Sequence, residues 1–325
     1  MTSRHLVDPA LIPILDQMPP NALTSETLPL IRATRNAFAQ QAAATTAFPD
    51  IQMGEHFAPG VDGQPDVRLF VYTPSNAPHP APGFVWIHGG GYVMGSAVGD
   101  HERVKGFVDA IGCVAVSVDY RLAPETPHPG PVEDCYAALQ WLHEHADELG
   151  VDSQTIAIGG ASAGGGLAAA LALLARDRGE LPIVFQLLIF PMIDDRTAAT
   201  ADPHPYTGEF MWTHDDNRFG WSALLGHEPG VAEVSPYAAA ARATSLEGLP
   251  PTYISVGALD LFLEEDLDYA RRLMRAGVPT ELHVYPGAYH GYQFAQDAWM
   301  TQADQRSCVE ALRRALRSDS TGAER

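Results

Sequence analysis

Residues 155–164 read TIAIGGASAG, and this stretch decides the fold. It begins with β-branched and apolar residues, as in a buried parallel strand, and the alanine- and leucine-rich residues 165–175 that follow predict a helix. Between strand and helix, Gly160 and Gly164 flank Ser162 two residues away on either side. A serine that projects from a sharp turn needs such small neighbours, because a β-carbon there would collide with the backbone. The stretch therefore predicts a strand, a turn that exposes a nucleophile, and a helix.

A second stretch, FVWIHGGG at residues 84–91, has a related organisation. Its apolar start predicts another strand, which runs directly into His88 and a run of glycines. Because no side chain blocks the approach, the glycine loop can bring backbone N–H groups close to a reacting carbonyl oxygen. We expect the two stretches to supply a nucleophile and part of an oxyanion hole to one site.

Strand and helix patterns alternate along most of the chain. Strands are predicted at residues 51–57, 67–72, 83–87, 114–118, 155–158, 183–190, 252–256 and 281–285. Helices are predicted at residues 103–111, 132–149, 165–178, 264–276 and 298–317. The later strands are mostly continuous apolar runs, which is typical of strands covered on both faces, whereas the first two are more polar and suit an antiparallel edge. The pattern predicts an α/β fold with helices on both faces of a mostly parallel sheet of roughly eight strands.

Two segments outside this alternation predict a cap. The first contains an amphipathic helix at residues 25–44, with Leu28, Ile31 and Phe38 on or near one side. The second is rich in aromatic residues and methionine, which indicates a lid that binds apolar groups and excludes water, with an ordinary surface insertion as the alternative. The chain then divides into a cap segment (1–48), a first core part (49–193), a cap insertion (194–243), a second core part (244–317) and a flexible tail (318–325).

The composition excludes several classes of partner. The 40 acidic and 20 basic residues give a formal net charge of −20, a field that repels nucleic acid and anionic membranes. Neutral esters or amides suit it better than polyanions, although the acidity can equally serve solubility. No stretch reaches the roughly 18 apolar residues of a membrane span, and prolines and acids interrupt any signal-peptide pattern. We expect no nucleic-acid partner, no stable membrane association and a cytoplasmic location.

Cysteine and histidine usage predicts no metal site. Cys113, Cys135 and Cys308 are odd in number and widely spaced, so neither a disulfide framework nor a cysteine-rich site follows. Cys113 and Cys135 are expected to be small core residues. His143 and His145 are two apart on a predicted helix, whereas helical metal ligands usually stand four apart.

A serine nucleophile needs a histidine to accept its proton and a carboxylate to orient that histidine. In a strand-turn-helix site of this kind the chain order is serine, acid, histidine. After the seventh predicted strand, His283 lies inside the last strand, and His290 lies in the turn beyond its carboxyl end. Sites of parallel sheets form at the carboxyl ends of strands, which favours His290.

Asp260 is the favoured acid, because it stands just past the seventh predicted strand. The alternative role for an isolated loop aspartate is the N-cap of the next helix. The competing acids are first-turn helix residues or follow the sixth strand: Glu264, Glu265, Asp266, Asp268, Asp194 and Asp195.

With these residues assembled, the chain resembles the bacterial hormone-sensitive-lipase-like carboxylesterases of the α/β-hydrolase superfamily. The resemblance covers residues 67–291 and rests on HGGGY at 88–92, DYRLAPE at 119–125, the serine turn, Ser235-Pro236, Asp260 and His290-Gly291. It implies an α/β-hydrolase fold with a helical cap, hydrolysis of carboxylic esters and no cofactor. It also implies dimerisation through the last strand and an oxyanion hole formed by the N–H groups of Gly89, Gly90 and Ala163.

The chain departs from the family pattern at two positions. The family usually has Asp or Thr where Ala161 stands, and Pro where Leu261 follows the triad acid. Neither change touches a triad atom, so we expect activity to survive while loop rigidity or acyl preference differs. In the DYRLAPE motif, Arg121 and Glu125 are interpreted as a buried ionic brace beneath the active-site loops.

The residues together predict an esterase mechanism in which Ser162 attacks the ester, His290 accepts its proton and Asp260 stabilises the imidazolium. The expected substrates are neutral esters with short to medium acyl groups. The expected pocket residues are Tyr92, Phe210, Met211, Trp212 and Tyr292. A non-catalytic small-molecule receptor on the same fold, an amidase and an acyltransferase with the same triad remain as alternatives.

Overall fold

Eight strands form a single sheet in the part of the chain that the computed structural model describes, residues 2–17, 22–43 and 47–317. They are β1 Ile51–Ala58, β2 Val67–Pro74, β3 Ala81–Ile87, β4 Val114–Asp119, β5 Val151–Ala161, β6 Phe185–Ile189, β7 Thr252–Gly257 and β8 Thr280–Tyr285. The spatial order is β1-β2-β4-β3-β5-β6-β7-β8, with β2 antiparallel to both neighbours and the other pairs parallel. The predicted mostly parallel sheet with an antiparallel edge is therefore confirmed.

Burial along the strands follows position in the sheet. The side chains of β6 and β7 are buried throughout, as expected for apolar strands covered on both faces. The last strand, β8, is only half-buried because it ends the sheet, although its sequence predicted a covered strand. Conversely, β2 is mostly buried because it lies between β1 and β4, although its sequence suggested an edge.

Helices cover both faces of the sheet. They are α1 Ile12–Gln17, α2 Leu28–Ala43, α3 His101–Ile111, α4 Gly130–Glu144, α5 Ala146–Leu149, α6 Ala163–Arg178, α7 His214–Leu225, α8 Leu263–Arg275 and α9 Trp299–Arg317. Residues of α4, α6 and α8 pack with Val85 and Ile87 in one buried cluster. Residues of α3 and α9 pack with Phe84 and Trp86 in the other. Because successive strand residues point to opposite faces, β3 contributes to both.

Two element boundaries differ from the prediction for local reasons. The helix expected at 132–149 is divided into α4 and α5 at His145, whose ring Nδ1 lies 2.9 Å from the carbonyl oxygen of Trp141 and caps the first helix. The strand expected at 183–190 ends one residue early, because Phe190 has a positive φ of 34° and precedes a proline. Both breaks depend on a single residue inside an otherwise regular apolar pattern.

The predicted cap segments contain fewer helices than the core. Helix α2 begins at Leu28, later than predicted, because Thr24 and Thr27 bond to each other's backbone N–H groups in a turn. Leu28 is buried, but Phe38 is 67% exposed, so the expected shared apolar face is not formed. Residues 194–243 hold α7 and short 3₁₀ turns. The division into cap and core stays a prediction, and both Ala44 and the tail 318–325 lie outside the described residues.

The cysteines behave as small core residues. Cys113, Cys135 and Cys308 are all buried, and none is in a disulfide. Burial raises the pKa of the Cys113 thiol to about 12. Across the described ranges, no helix combines the length and apolar character that crossing a bilayer requires, and no group of three or more His, Cys, Asp or Glu residues is placed to hold a metal ion.

Candidate active site

The two glycine motifs lie next to each other because their strands are neighbours. Ile87 pairs with Gly160, so β3 and β5 end side by side at the same edge of the sheet. Ser162 stands between the end of β5 and the start of α6, with φ 57° and ψ −123°. Non-glycine residues rarely adopt a positive φ, and such strain is typical of a nucleophile on a sharp turn.

Backbone hydrogen bonds hold this turn. The N–H of Ser162 donates to the carbonyl oxygen of Ile189 at 2.9 Å, and its carbonyl oxygen accepts from Met192 N at 3.0 Å and Gly166 N at 2.9 Å. Ala161, where the family usually has a polar residue, is buried in the apolar cluster that contains Ile189. The end of β6 therefore fixes the serine turn without a polar side chain at position 161.

The glycines that flank the serine are required by close backbone contacts. A β-carbon on Gly160 would lie 2.3 Å from the carbonyl oxygen of Gly164. A β-carbon on Gly164 would lie 2.1 Å from the carbonyl oxygen of Ile87 and 2.5 Å from that of His88. Real β-carbons do not approach backbone atoms this closely, so the expectation that only small residues fit is confirmed.

The structure brings Ser162, His290 and Asp260 into one hydrogen-bonded chain. The Oγ atom of Ser162 lies 2.9 Å from Nε2 of His290, and Nδ1 of His290 lies 2.9 Å from Oδ2 of Asp260. Because a buried carboxylate accepts from Nδ1, Nε2 remains free to accept the hydroxyl proton. All three side chains are buried, which strengthens their interactions by excluding water.

Asp260 is not the N-cap of the helix that follows. Helix α8 begins at Leu263 after Phe262, whereas Oδ1 of Asp260 accepts the N–H of Phe262 at 3.0 Å in the preceding turn. One carboxylate oxygen thus fixes the loop while the other faces His290. This arrangement lets the loop orient the carboxylate before any substrate is present.

The competing residues have other partners or positions. His283 contacts Glu281 at 2.8 Å on β8, away from the serine. Each of four competing acids binds another group: Asp194 binds Arg196, Asp195 binds Arg242, Glu265 binds the backbone N–H of Ile193, and Asp268 binds Arg271. Glu264 is exposed, and Asp266 is buried with no hydrogen-bond partner among the described residues.

Aromatic rings surround His290. The ring centroids of Phe190, Phe262 and Trp212 lie 4.8, 5.0 and 6.3 Å from that of His290. Only Trp212 was predicted as a site residue. Phe190 directly follows the sixth strand and Phe262 stands two residues after Asp260, so position at strand ends was the signal that could have identified them.

The glycine loop lies against the serine. A β-carbon on Gly89 would be 3.4 Å from Cβ of Ser162, and Gly90 and Gly91 have positive φ values of 128° and 60°. Within the described residues, the N–H groups of Gly89, Gly90 and Ala163 donate no hydrogen bond to the protein. Three donors beside one nucleophile are what a developing oxyanion needs.

His88 supports the loop from beneath. Its Nδ1 donates to the carbonyl oxygen of Gly89 at 2.8 Å, and its ring stacks on Tyr120 with a centroid separation of 4.2 Å. Burial lowers the pKa of His88, so the imidazole is neutral at neutral pH. The first residue of the motif thus has a packing role, while Gly89 lies next to the serine.

The predicted pocket residues divide into two groups. Trp212 covers the glycine loop, because a β-carbon on Gly91 would lie 2.1 Å from its Cη2 atom. Phe210 is partly buried against Tyr289, and Met211 lies near Gly291.

Tyr92 and Tyr292, in contrast, have no exposed surface, which corrects their interpretation as lining residues. The hydroxyl of Tyr92 donates to the carbonyl oxygen of Met192 at 2.6 Å, and Tyr292 packs on Phe190. Both tyrosines lie behind the site rather than on its surface.

The predicted buried ionic brace is found for Arg121 but not for Glu125. The guanidinium of Arg121 binds Asp134 at 2.6 Å, and Glu125 binds Arg32 of α2 at 2.7 Å. Glu125 is also largely exposed rather than buried. The two motif residues therefore form ion pairs with separate partners, and the partner of Glu125 comes from the predicted cap.

The chain is similar to known proteins over most of its length. A family model described as an α/β-hydrolase fold matches residues 84–294. Carboxylesterase NlhH of Mycobacterium tuberculosis is 35% identical over 297 residues, covering 89% of this chain and 90% of the relative. Esterase LipI of the same organism is 32% identical over 298 residues, covering 88% of each chain.

Solved structures show the same similarity. A bacterial heroin esterase superposes with a TM-score of 0.91 at 41% identity, over 97% of this chain and 100% of that one. Esterase LipW from Mycobacterium marinum superposes with a TM-score of 0.86 at 34% identity, over 97% of each chain. The chain therefore belongs to the α/β-hydrolase family, in its branch of hormone-sensitive-lipase-like carboxylic ester hydrolases.

Proposed function

We propose that this ester hydrolase works through an acyl-enzyme formed on Ser162. The hydrogen-bonded chain from Ser162 through His290 to Asp260 is the observation that carries the proposal. The serine Oγ attacks the ester carbonyl carbon while its proton passes to Nε2 of His290. The buried Asp260 carboxylate stabilises the imidazolium that results. His290 then protonates the leaving alcohol as the carbon–oxygen bond breaks.

Deacylation uses the same groups in reverse. A water molecule loses a proton to Nε2 of His290 and attacks the acyl carbon, and the imidazolium returns its proton to Ser162 as the acid leaves. In both steps we assign oxyanion binding to the N–H groups of Gly89, Gly90 and Ala163. Each such donor lowers the barrier by about 3 kcal/mol in comparable sites.

We further propose neutral esters with short to medium acyl groups as substrates. Trp212 supports this proposal, because its indole lies against Gly91 and within 6.3 Å of the His290 ring, which limits the space beside the serine. The net charge of −20 disfavours anionic substrates at long range. A cytoplasmic location is part of the same proposal, to be tested by cell fractionation.

The deciding experiment combines labelling and turnover. A fluorescent alkyl phosphonate should label wild-type protein, and mass spectrometry should place the label on Ser162. Ser162→Ala and His290→Ala should each lower kcat for a nitrophenyl ester by at least about 10³-fold with the fold retained, whereas the control His283→Ala should stay within about 3-fold. Near-normal turnover in either triad variant would refute the assignment.

The same assays separate the alternatives. A wild-type protein that binds ligands but neither labels nor turns over would be a receptor on this fold. Faster cleavage of an amide than of its matched ester would identify an amidase. Formation of an ester with an added alcohol at a higher rate than formation of the free acid would identify an acyltransferase.

A further inference from the structure

Helix α2 buries few of its apolar side chains. Leu28 is buried and Ile31 is partly buried against the same core, whereas Leu30 and Phe38 are 72% and 67% exposed. Burial of apolar area is the usual source of attachment for a helix on a protein surface. A helix that buries so little must be held by other contacts.

One side chain of α2 makes four polar contacts. Nε of Arg32 donates to the carbonyl oxygen of Val93 at 2.6 Å, and Nη2 donates to that of Ala123 at 2.7 Å. Nη1 and Nη2 also donate to the two carboxylate oxygens of Glu125 at 2.7 and 2.9 Å. A planar guanidinium can satisfy all these acceptors at once, which an ammonium group cannot.

Of the two carbonyl groups that Arg32 binds, that of Val93 belongs to the loop that carries the glycines, and that of Ala123 belongs to a segment hydrogen-bonded to this loop. The N–H groups of Val93 and Met94 donate to the carbonyl oxygen of Gly90 at 3.2 and 3.0 Å. The N–H of Ala123 donates to the carbonyl oxygen of Tyr92 at 3.0 Å. Arg32 therefore binds both segments of a hydrogen-bonded unit that begins at Gly90.

We propose that Arg32 is a positioning residue that holds the Gly89–Gly91 loop in oxyanion-binding geometry and thereby couples the docking of α2 to catalysis. This inference rests on the proposed function, because it assigns a purpose to the same oxyanion hole. An error of about 1 Å in the position of a catalytic group can cost two orders of magnitude in rate. A guanidinium that fixes two loop carbonyls is suited to prevent such an error.

The contacts to the carbonyl groups, rather than the ion pair, carry the positioning role. The side chain of Glu125 is 64% exposed, and ion pairs this open to solvent contribute little. The hydrogen bond to Arg32 lowers the pKa of Glu125, so the carboxylate stays charged at neutral pH. Removing the charge of Glu125 should therefore have a much smaller effect than removing the guanidinium.

The test compares four variants of the full chain. Arg32→Met removes every contact, Arg32→Lys keeps the charge but loses the fork, Glu125→Gln weakens only the ion pair, and Arg35→Met removes a charge one turn away on the same helix. Each is assayed for kcat and KM with a nitrophenyl ester, and for inhibition by a trifluoromethyl ketone. That inhibitor forms a bond from Ser162 Oγ to its carbonyl carbon and places an oxyanion in the hole, so its Ki reports the hole directly.

We expect Arg32→Met to lower kcat by about 10-fold or more and to raise the Ki by a similar factor. Arg32→Lys should fall between it and the wild type, and Glu125→Gln and Arg35→Met should stay within about 3-fold. A rise in KM with unchanged kcat and Ki would overturn the proposal, because it would show that Arg32 only secures the helix. If Arg32→Met does not fold, the result for Arg32→Lys decides by the same criteria.

The two proposals fail differently. Wild-type protein that is not labelled by a phosphonate at Ser162 would refute the proposed function. Labelled, active wild-type protein whose Arg32 variants match Arg35→Met would refute only the positioning role.

Discussion

Gly164 and Ile87 meet so closely that a β-carbon on the glycine would lie 2.1 Å from the carbonyl oxygen of the isoleucine. The first turn of α6 and the end of β3 therefore touch through backbone atoms alone. This contact brings the serine turn and the glycine loop within reach of one carbonyl group of a substrate.

Gly164→Ala should therefore damage both the fold and the site. The added methyl group must push two backbone segments apart, which we expect to lower the free energy of unfolding by at least about 2 kcal/mol. Urea unfolding measures the loss, and ester turnover measures the displacement of the loop. Gly106→Ala, inside α3, is the matched control. The β-carbon of its alanine would meet only Cζ of Phe48, at an ordinary distance of 3.7 Å, so we expect its stability to be unchanged or raised. Equal stability in the two variants would contradict this account.

Glu265 should show a pH-dependent cost in stability. Burial raises the pKa of its carboxyl well above the usual range, and nearby Asp194 raises it further. The native state then holds a proton that the unfolded state releases, so stability falls as pH rises from about 4.5 towards the raised pKa. Glu265→Gln has no proton to lose, so its stability relative to the wild type should improve over this window, by at most about 1.4 kcal/mol per pH unit.

The control for this series is Glu265→Leu. Leucine removes the acceptor for the N–H of Ile193, which binds Glu265 at 2.8 Å, and for the Thr197 hydroxyl. We expect a loss of about 1–3 kcal/mol for each donor left unpaired. Urea titrations between pH 5 and 8 test both variants, and a flat difference between Glu265→Gln and wild type would contradict the raised pKa.

Trp212 should set the upper limit on acyl length. Trp212→Ala removes the indole that covers Gly91, so we expect the ratio of kcat/KM for long over short acyl nitrophenyl esters to rise by roughly 10-fold. Trp299→Ala is the control, because that indole is half-exposed and binds Asp8 instead. An unchanged chain-length profile in Trp212→Ala would show that another residue limits the pocket.

The outer edge of β8, the last strand of the described sheet, is where we propose that two copies of the chain associate. Val284 is 41% exposed on this strand, which ends the sheet. Val284→Lys should halve the mass measured by light scattering, because a charge on an edge strand opposes pairing. The control Val231→Lys changes a valine of similar exposure outside the sheet. A monomeric mass for the wild type at all concentrations would reject the dimer.

The sequence predicted best those features that depend on neighbouring residues in the chain, namely the strands, the residues at strand ends and the serine turn. Apolar runs predicted the strands, and strand ends predicted Ser162, Asp260 and His290 together, because parallel strands bring their carboxyl ends to one edge. The glycines of the serine turn were equally predictable, since their spacing reflects a backbone collision.

Side-chain pairing was less predictable, because it depends on distant elements. Arg121 and Glu125 are neighbours in one motif, yet they bind Asp134 and Arg32. Nothing local in the sequence marks Arg32, which stands 93 residues from its carboxylate partner. The burial of Tyr92 and Tyr292 likewise follows from the packing of whole layers rather than from their positions beside conspicuous motifs.

Ser162 is held by hydrogen bonds to the main chain of Ile189 and Met192. A hydrogen bond between backbone groups does not depend directly on which side chains the residues carry. The alignment of β5 with β6 therefore positions the nucleophile, and a slip of one residue between these strands would move the Ile189 carbonyl group away from the N–H of Ser162. Position 161 contributes no polar side chain to this alignment, whereas an insertion in β6 would displace the nucleophile with every catalytic side chain still present.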